Sequence, residues 1–319
     1  MAVLDAEVQS LIYGSKAAST WKKYTAAFSR FSAWCLENLQ PSLPSSPEVV
    51  MRYLAHVSKT TKSANSMVAA TCAISAFHMS RGLANPCADK RVAAMCEGAR
   101  RRYITPARQS KPLTPVILKA MQLQCKNRDG NVRDLRTVWL AHFLFRACAR
   151  FQDAARLKLK DFSETDDGLL VKFWVRKNDQ KGAGHTVKIP KSASSFCAVR
   201  LGESYFSKLR REGFQPGDWA FPRMDSLKNG KVKIYKSQPA TYNSCKVAFS
   251  QALSSLGVDP TGYGLHSGKV GGVIALRNSG VSWRSLSDFV GWSANSVMPE
   301  RYAKSACKRS SKVEGKLSF

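Results

Sequence analysis

Apolar residues recur along most of this chain at the helical period. From about residue 17 to 38, Trp21, Tyr24, Phe28, Phe31 and Cys35 fall three and four apart while Lys22, Lys23 and Arg30 lie off the stripe, so the spacing predicts an amphipathic helix with an aromatic core face. Pro41 to Pro47 breaks the pattern. Ser46-Pro47-Glu48 then gives the start signal of a second helix, with a capping serine, a proline in the first turn and an early acid. Its core positions include Val50, Tyr53, Leu54 and Val57. Two more helices are predicted over about 63–82, with Met67, Ala70, Ile74 and Phe77, and over about 87–102, ending in Arg100-Arg101-Arg102.

Further on, Thr114-Pro115 opens another helix, and an apolar one follows over about 134–148 with Leu135, Val138, Trp139, Phe143 and Leu144. There the period changes. Leu157 to Asp161 alternates at period two, and the β-rich runs 169–175 and 185–189 flank a polar turn at 177–184, which predicts a small three-stranded antiparallel sheet. Helices resume near 196–212, 240–256, 266–279 and 282–290, with no internal repeat. The expected fold class is mainly α with a small antiparallel β-sheet (α+β): a helical domain over 1–103, a linker over 104–113, and a second domain over 114–319 whose tail begins at 303.

Charge narrows the partners. The 319 residues carry a formal charge of +28 with a pI near 10.0, which points to a polyanion. The excess is spread over the chain, with 15 Lys/Arg against 6 Asp/Glu up to residue 113 and 35 against 16 beyond it, so both halves are suited to touch phosphate. On charge alone a ribosomal or chromatin protein fits equally well. Nine cysteines without a C-x-x-C pair exclude zinc-finger spacing and imply free thiols in a reducing compartment. The sequence shows no signal peptide or transmembrane run, so no membrane partner is expected.

The chemistry concentrates near the C-terminus. Gly264-Leu265-His266-Ser267-Gly268-Lys269, Gly291-Trp292 and Tyr302 bring an imidazole, a cation, an indole N–H and a phenol into about forty residues. Together these groups suit attack of a tyrosine oxygen on a phosphodiester whose charge is held by cations. Upstream, Arg150 and Asp153 stand three apart, so that the carboxylate can orient a guanidinium able to fork onto two phosphate oxygens. Singly, each is ordinary: His266 and Trp292 could be core, Arg150–Asp153 a structural pair, and a lysine in a polar turn a solvated charge.

Their joint order resembles the tyrosine recombinase (phage integrase) family, in its Cre-like or mobile-element form. Arg150, Asp153, Leu157 and Asp161 match the first arginine box. Val175-Arg176-Lys177-Asn178-Asp179-Gln180 resembles the catalytic-lysine turn, His266-Ser-Gly-Lys269 the H-x-x-R box, Gly291-Trp292 the G-H/W pair, and Tyr302 the nucleophile. The resemblance covers about 110–305; the N-terminal half is similar only as a helical core-binding domain.

The resemblance implies that Tyr302 attacks phosphorus to leave a 3′-phosphotyrosyl bond, with His266 taking or orienting its proton. Arg150 and Lys269 would hold the non-bridging oxygens, Trp292 would donate its N–H to phosphate, and Lys177 or its neighbour Lys181 would protonate the leaving 5′-oxygen. No cofactor, metal or ATP is implied. Double-stranded DNA is the implied partner and a homotetramer on two DNA sites the implied assembly, in the nucleus of a eukaryotic host or otherwise the cytoplasm. Lys22, Lys23, Arg100, Arg101, Arg102 and Lys181 are candidate DNA contacts. Two departures stand out. Lys269 replaces the second arginine and loses its bidentate fork, and Tyr302 follows Trp292 by ten residues, against the usual nine, with Pro299 between. The lysine leaves open a recombinase-derived protein that only binds DNA; a type IB-like topoisomerase is a third reading.

Overall fold

In a computed structural model of the chain, residues 2–104, 109–127, 131–174, 184–227, 231–293 and 296–302 are described. The chain divides into two compact units, Met1–Ala107 and Arg108–Phe319.

The first unit is helical: α1 (Ala2–Gly14), α2 (Ala18–Glu37), α3 (Pro47–Thr61), α4 (Ala64–Met79) and α5 (Lys90–Arg102). Its core joins Phe31 and Cys35 of α2, Val50, Tyr53 and Leu54 of α3, Met67 and Ile74 of α4, and Val92 and Cys96 of α5. Phe28 stacks on Phe77 at 4.1 Å between ring centroids, so the stripe of α2 is core from Phe28 to Cys35, while Trp21 and Tyr24 stay half-buried. Ser46 caps α3, its hydroxyl accepting the Val49 N–H at 3.3 Å. His78 is buried and fixed in one tautomer: its Nε2 accepts the Ser45 N–H at 3.0 Å and its Nδ1–H donates to the Ile74 carbonyl at 2.8 Å. The α1 helix was not expected. Its apolar residues Leu4, Val8 and Leu11 are exposed, and the Trp21 indole donates to the Tyr13 carbonyl at its end, at 2.6 Å.

The second unit is built around α7 (Val132–Arg146), in which residues 136–145 are all buried. Such a helix, apolar nearly all round, belongs at the centre of a domain. Around it lie α6 (Pro115–Asn127), α9 (Ala198–Arg211), α10 (Tyr242–Ser254) and α11 (His266–Asn278); α8 (Phe151–Ala154) is one turn and α12 (Trp283–Val290) precedes the last segment. Thr114 Oγ1 accepts the Ile117 N–H at 3.3 Å, which starts α6 where Thr-Pro predicts it. Strands β1 (Phe162–Thr165), β2 (Gly168–Phe173) and β3 (His185–Pro190) form an antiparallel sheet in that order. The class is α+β and mainly helical.

Two sequence expectations are corrected here. Leu157–Asp161 is not the first strand. Residues Leu159–Asp161 form a 3-10 turn because the Asp161 carboxylate accepts the Lys158 N–H at 2.8 Å, and β1 begins only at Phe162. A second antiparallel pair, β4 (Pro222–Ser226) with β5 (Val232–Pro239), was not expected at all.

Candidate active site

The sequence H-S-G-K-V-G-G works first as a packing device. A Cβ on Gly268 would stand 2.7 Å from Leu144 Cβ, one on Gly271 1.9 Å from the Leu113 carbonyl oxygen, and one on Gly272 2.0 Å from the Phe145 oxygen. Only hydrogen fits there, so α11 lies backbone-close to the end of α7 and to the segment through Leu113. The Leu113 N–H donates to the Ser267 carbonyl at 2.9 Å and the Lys111 N–H to the Gly262 carbonyl at 2.8 Å. His266 opens α11 and Lys269, one turn on, is 0% exposed.

Beyond α7 the chain turns sharply through Cys148, which holds φ 45 in the left-handed region. Arg150 then occupies the N-cap of α8, half-buried, and Asp153 is buried at its third position. The Asp153 carboxylate accepts the backbone N–H of Arg150 at 3.3 Å. This bond holds the main chain of Arg150 at the start of α8.

The last two groups come from the far end of the unit. Helix α12 stops at Gly291 (φ 69), and the Trp292 N–H folds back to the Ser287 carbonyl at 2.9 Å. That cap turns the indole inward, where it is 6% exposed and its Nε1 has no hydrogen-bond partner among the described residues. Residues 298–302 are helical, Tyr302 being the last described residue, so Pro299 sits in a first helical turn, a position proline tolerates. Tyr302 is 4% exposed and stacks on Trp292 with centroids 5.4 Å apart and planes at 23°. Its hydroxyl lies 3.4 Å from His266 Nε2. The Lys269 ammonium is 5.8 Å from the Trp292 ring centroid. Cys148, Val270, Val273, Leu286 and Val290 close the apolar floor under both rings.

Electrostatics follow from this burial. Loss of water pushes the Tyr302 phenol up to about 12, with the Arg150 charge pulling the other way. The His266 imidazole is lowered from its ordinary value, first by burial and then by the Lys269 and Arg150 cations. At neutral pH the pair is a neutral phenol facing a neutral imidazole, which is the state in which a proton can pass from oxygen to nitrogen.

The structure therefore brings Arg150, His266, Lys269, Trp292 and Tyr302 into one cluster. Lys177, Lys181 and the tail from 303 lie outside the described residues. Lys22 and Lys23 are exposed on α2, and Arg100, Arg101 and Arg102 on the last turn of α5, where Arg100 and Arg101 reach Glu97 at 3.0 and 3.6 Å. Sequence reasoning missed Gln109, Ser110 and Arg301, which line a cavity of about 220 Å³ beside His266 and Tyr302, and Cys148 beneath the tyrosine. None of these lies in a recognisable pattern; only the adjacency of Arg301 to Tyr302 and of Cys148 to Arg150 hinted at them. No group of three or more His, Cys, Asp or Glu placed to hold a metal occurs among the described residues, and no described helix is long and apolar enough to cross a membrane.

No protein-family model matches the chain. The integrase/recombinase xerD homolog of Selenomonas ruminantium is 29% identical over 226 residues, covering 68% of this chain and 64% of that protein. Recombinase cre of Escherichia phage P1 is 22% identical over 290 residues, covering 88% of this chain and 82% of its own length. The match thus spans a little under two thirds of the Selenomonas relative and most of the phage one. Among solved structures, the Tn1549 transposon integrase in complex with transposon right end DNA shares the fold with a TM-score of 0.56 at 13% identity, covering 96% of this chain and 98% of that one. The ordered boxes and these relatives support a tyrosine recombinase, whose fold the chain shares.

Proposed function

We propose that the chain is a site-specific DNA recombinase or integrase of a mobile element, cleaving and rejoining strands through a 3′-phosphotyrosyl intermediate. The observation that carries this reading is the Tyr302 hydroxyl 3.4 Å from His266 Nε2. It sits beside a buried lysine and an indole N–H that has no protein partner among the described residues. A buried donor left without a partner costs about 1–3 kcal/mol, and a phosphate oxygen arriving from solution supplies the partner.

In the forward step the Tyr302 oxygen attacks phosphorus as its proton passes to His266. The P–O5′ bond breaks, and the 5′-oxygen takes a proton from Lys177 or Lys181. Arg150 and Lys269 offset the charge that grows on the non-bridging oxygens, and Trp292 donates to one of them. Religation runs the same transfers backwards with a new 5′-hydroxyl, so the bond energy is kept in the tyrosyl ester. Removing one such preorganised donor typically costs about 3 kcal/mol; Lys269 keeps the charge of an arginine but not its fork, so its cost is smaller. Lys22, Lys23 and Arg100–Arg102 would contact the DNA backbone, and four copies would assemble on two duplexes. The relatives are named as recombinases and the Tn1549 structure holds DNA, which supports the substrate.

The test is a nicked suicide duplex from the ends of the element encoding the chain, incubated without metal and examined for an SDS-resistant protein–DNA adduct. The parent should give an adduct that Tyr302→Phe abolishes. DNA binding with no adduct from the parent or from Lys269→Arg would overturn the enzymatic reading and leave a DNA-binding protein.

A further inference from the structure

The outer face of the three-stranded sheet carries a group that the reaction above does not use. Along β2, Leu169, Val171 and Phe173 turn into the core, while Lys172 and, just past the strand end, Trp174 face out. Trp174 is 54% exposed. An indole so placed would be expected to swing freely, yet this one is held. Its Nε1–H donates at 2.8 Å to Asp161 Oδ1, a buried carboxylate whose other oxygen accepts the Lys158 N–H at 2.8 Å. The Lys172 ammonium sits 3.7 Å from the ring centroid.

Its location ties it to the site. Phe173, the residue before it, pairs with His185 at the end of the β2–β3 ladder. The His185 ring donates from Nε2 to the Phe289 carbonyl of α12 at 2.9 Å, and α12 leads directly into Gly291 and Trp292. The end of the sheet that bears Trp174 is therefore docked on the helix that presents the buried indole of the active site.

We propose that Trp174 is a stacking platform for DNA at the rim of this site, taking the apolar sugar or base face of the strand next to the scissile phosphate while Lys172 meets the backbone. The proposal rests on the recombinase reading. A ring fixed in plane loses little freedom when something stacks on it, which is what an aromatic contact to nucleic acid requires. The ammonium beside it selects a polyanion over a neutral apolar partner, and the chain's charge of +28 agrees with that choice.

The experiment uses the full chain carrying Tyr302→Phe, so that no turnover intervenes, and a fluorescein-labelled duplex that this same protein selects from a random pool. Binding is measured by anisotropy over a salt series. Trp174→Ala should weaken binding about tenfold with no change in the slope of log K against log salt, because no ion is released by stacking. Lys172→Ala should lower that slope by about 1. Trp174→Phe keeps a ring but loses the bond to Asp161, and should bind within about threefold of the parent. Equal losses in Trp174→Phe and Trp174→Ala would assign the effect to Asp161 and overturn the platform. An indifferent Trp174→Ala would overturn it as well and leave the indole for a protein partner. Failure of the parent protein to select any duplex would sink the recombinase reading, and this proposal with it.

Discussion

The closeness of α11 to its neighbours predicts opposite effects for one substitution at two helical glycines. Gly98 lies in α5 and a Cβ there would meet nothing within 4 Å. Gly98→Ala should stabilise the first unit by about 1 kcal/mol, the difference in helix propensity. At Gly271 the same gain is available, but the new Cβ would sit 1.9 Å from the Leu113 oxygen and 2.9 Å from its carbon. Ordinary contact begins near 3.4 Å, so backbone must move by more than an ångström. The atom in the way is a carbonyl oxygen, not a flexible side-chain end. Overpacking of this kind costs about 1–3 kcal/mol and sometimes more. Moving Leu113 also strains its hydrogen bond to Ser267, worth about 1 kcal/mol net. After the propensity gain, Gly271→Ala should lose about 1–3 kcal/mol, a fall of roughly 2–12 °C in the Tm of a domain of this size. Differential scanning calorimetry of the full chain, with each unit's transition followed, reads both variants. A Tm for Gly271→Ala within a degree of the parent, or a fall for Gly98→Ala, would refute the argument that packing decides the sign.

If His266 takes the tyrosine proton, its lowered imidazole should make adduct formation rise with pH through a midpoint below the ordinary 6.5 and then level off. His266→Gln should lose that acid limb, and a midpoint at or above 7 in the parent would contradict the proton-acceptor role. The same group binds fewer protons folded than unfolded, so its share of the second unit's stability is present above 6.5 and is lost as pH falls below it; urea titrations at pH 5.5 and 7.5, compared with His266→Gln, read the difference. Trp292→Phe keeps a ring against Tyr302 but removes the buried N–H that has no partner among the described residues, so it should slow cleavage about 10²-fold with the Tm little changed; equal losses of rate and Tm would make the tryptophan structural only. His185→Ala cuts the sheet loose from Phe289 and should slow cleavage of an ordinary phosphodiester more than of a substrate with sulfur at the 5′-bridging position, since a thiolate leaves without an acid. Equal slowing of both substrates would separate His185 from the leaving-group step, with Lys177→Ala and Lys181→Ala as references.

What could be read in advance was local. The α3 cap, Ser46 with Pro47 behind it, lies within one helical turn, and the structure has it there. The core stripe of α2 and the all-round apolar α7 follow from spacing alone. Asp161 misled because its carboxylate caps a turn three residues back, and a side-chain cap looks like strand alternation when Leu157 and Leu159 happen to fall two apart. The β4–β5 pair escaped notice because its apolar face is only Pro222 and Met224 on one strand and Val232 and Ile234 on the other, alternating with Arg223, Asp225 and Lys233. Helix α1 has a helical stripe whose described residues stay exposed, and a stripe so short lacks weight without a buried face. The site was legible as an ordered set of boxes, yet its assembly was not. That Tyr302 reaches His266 across 36 residues depends on Gly271 and Gly272 admitting the carbonyls of Leu113 and Phe145 and on Gly268 admitting Leu144, and spacing says nothing of how closely two backbones approach.

The segment through Lys111 and Leu113 has a mechanical meaning. It is where the chain arriving from the first unit is sewn to the second, and both stitches, Lys111 to Gly262 and Leu113 to Ser267, lie beside or within the run that opens with His266 and Lys269. Tension applied to the incoming chain is borne in part by these two backbone bonds, and so falls on the start of the helix that holds the imidazole and the buried cation. A load transmitted along the polypeptide would shift the reacting groups by their backbone, with no ligand at the site.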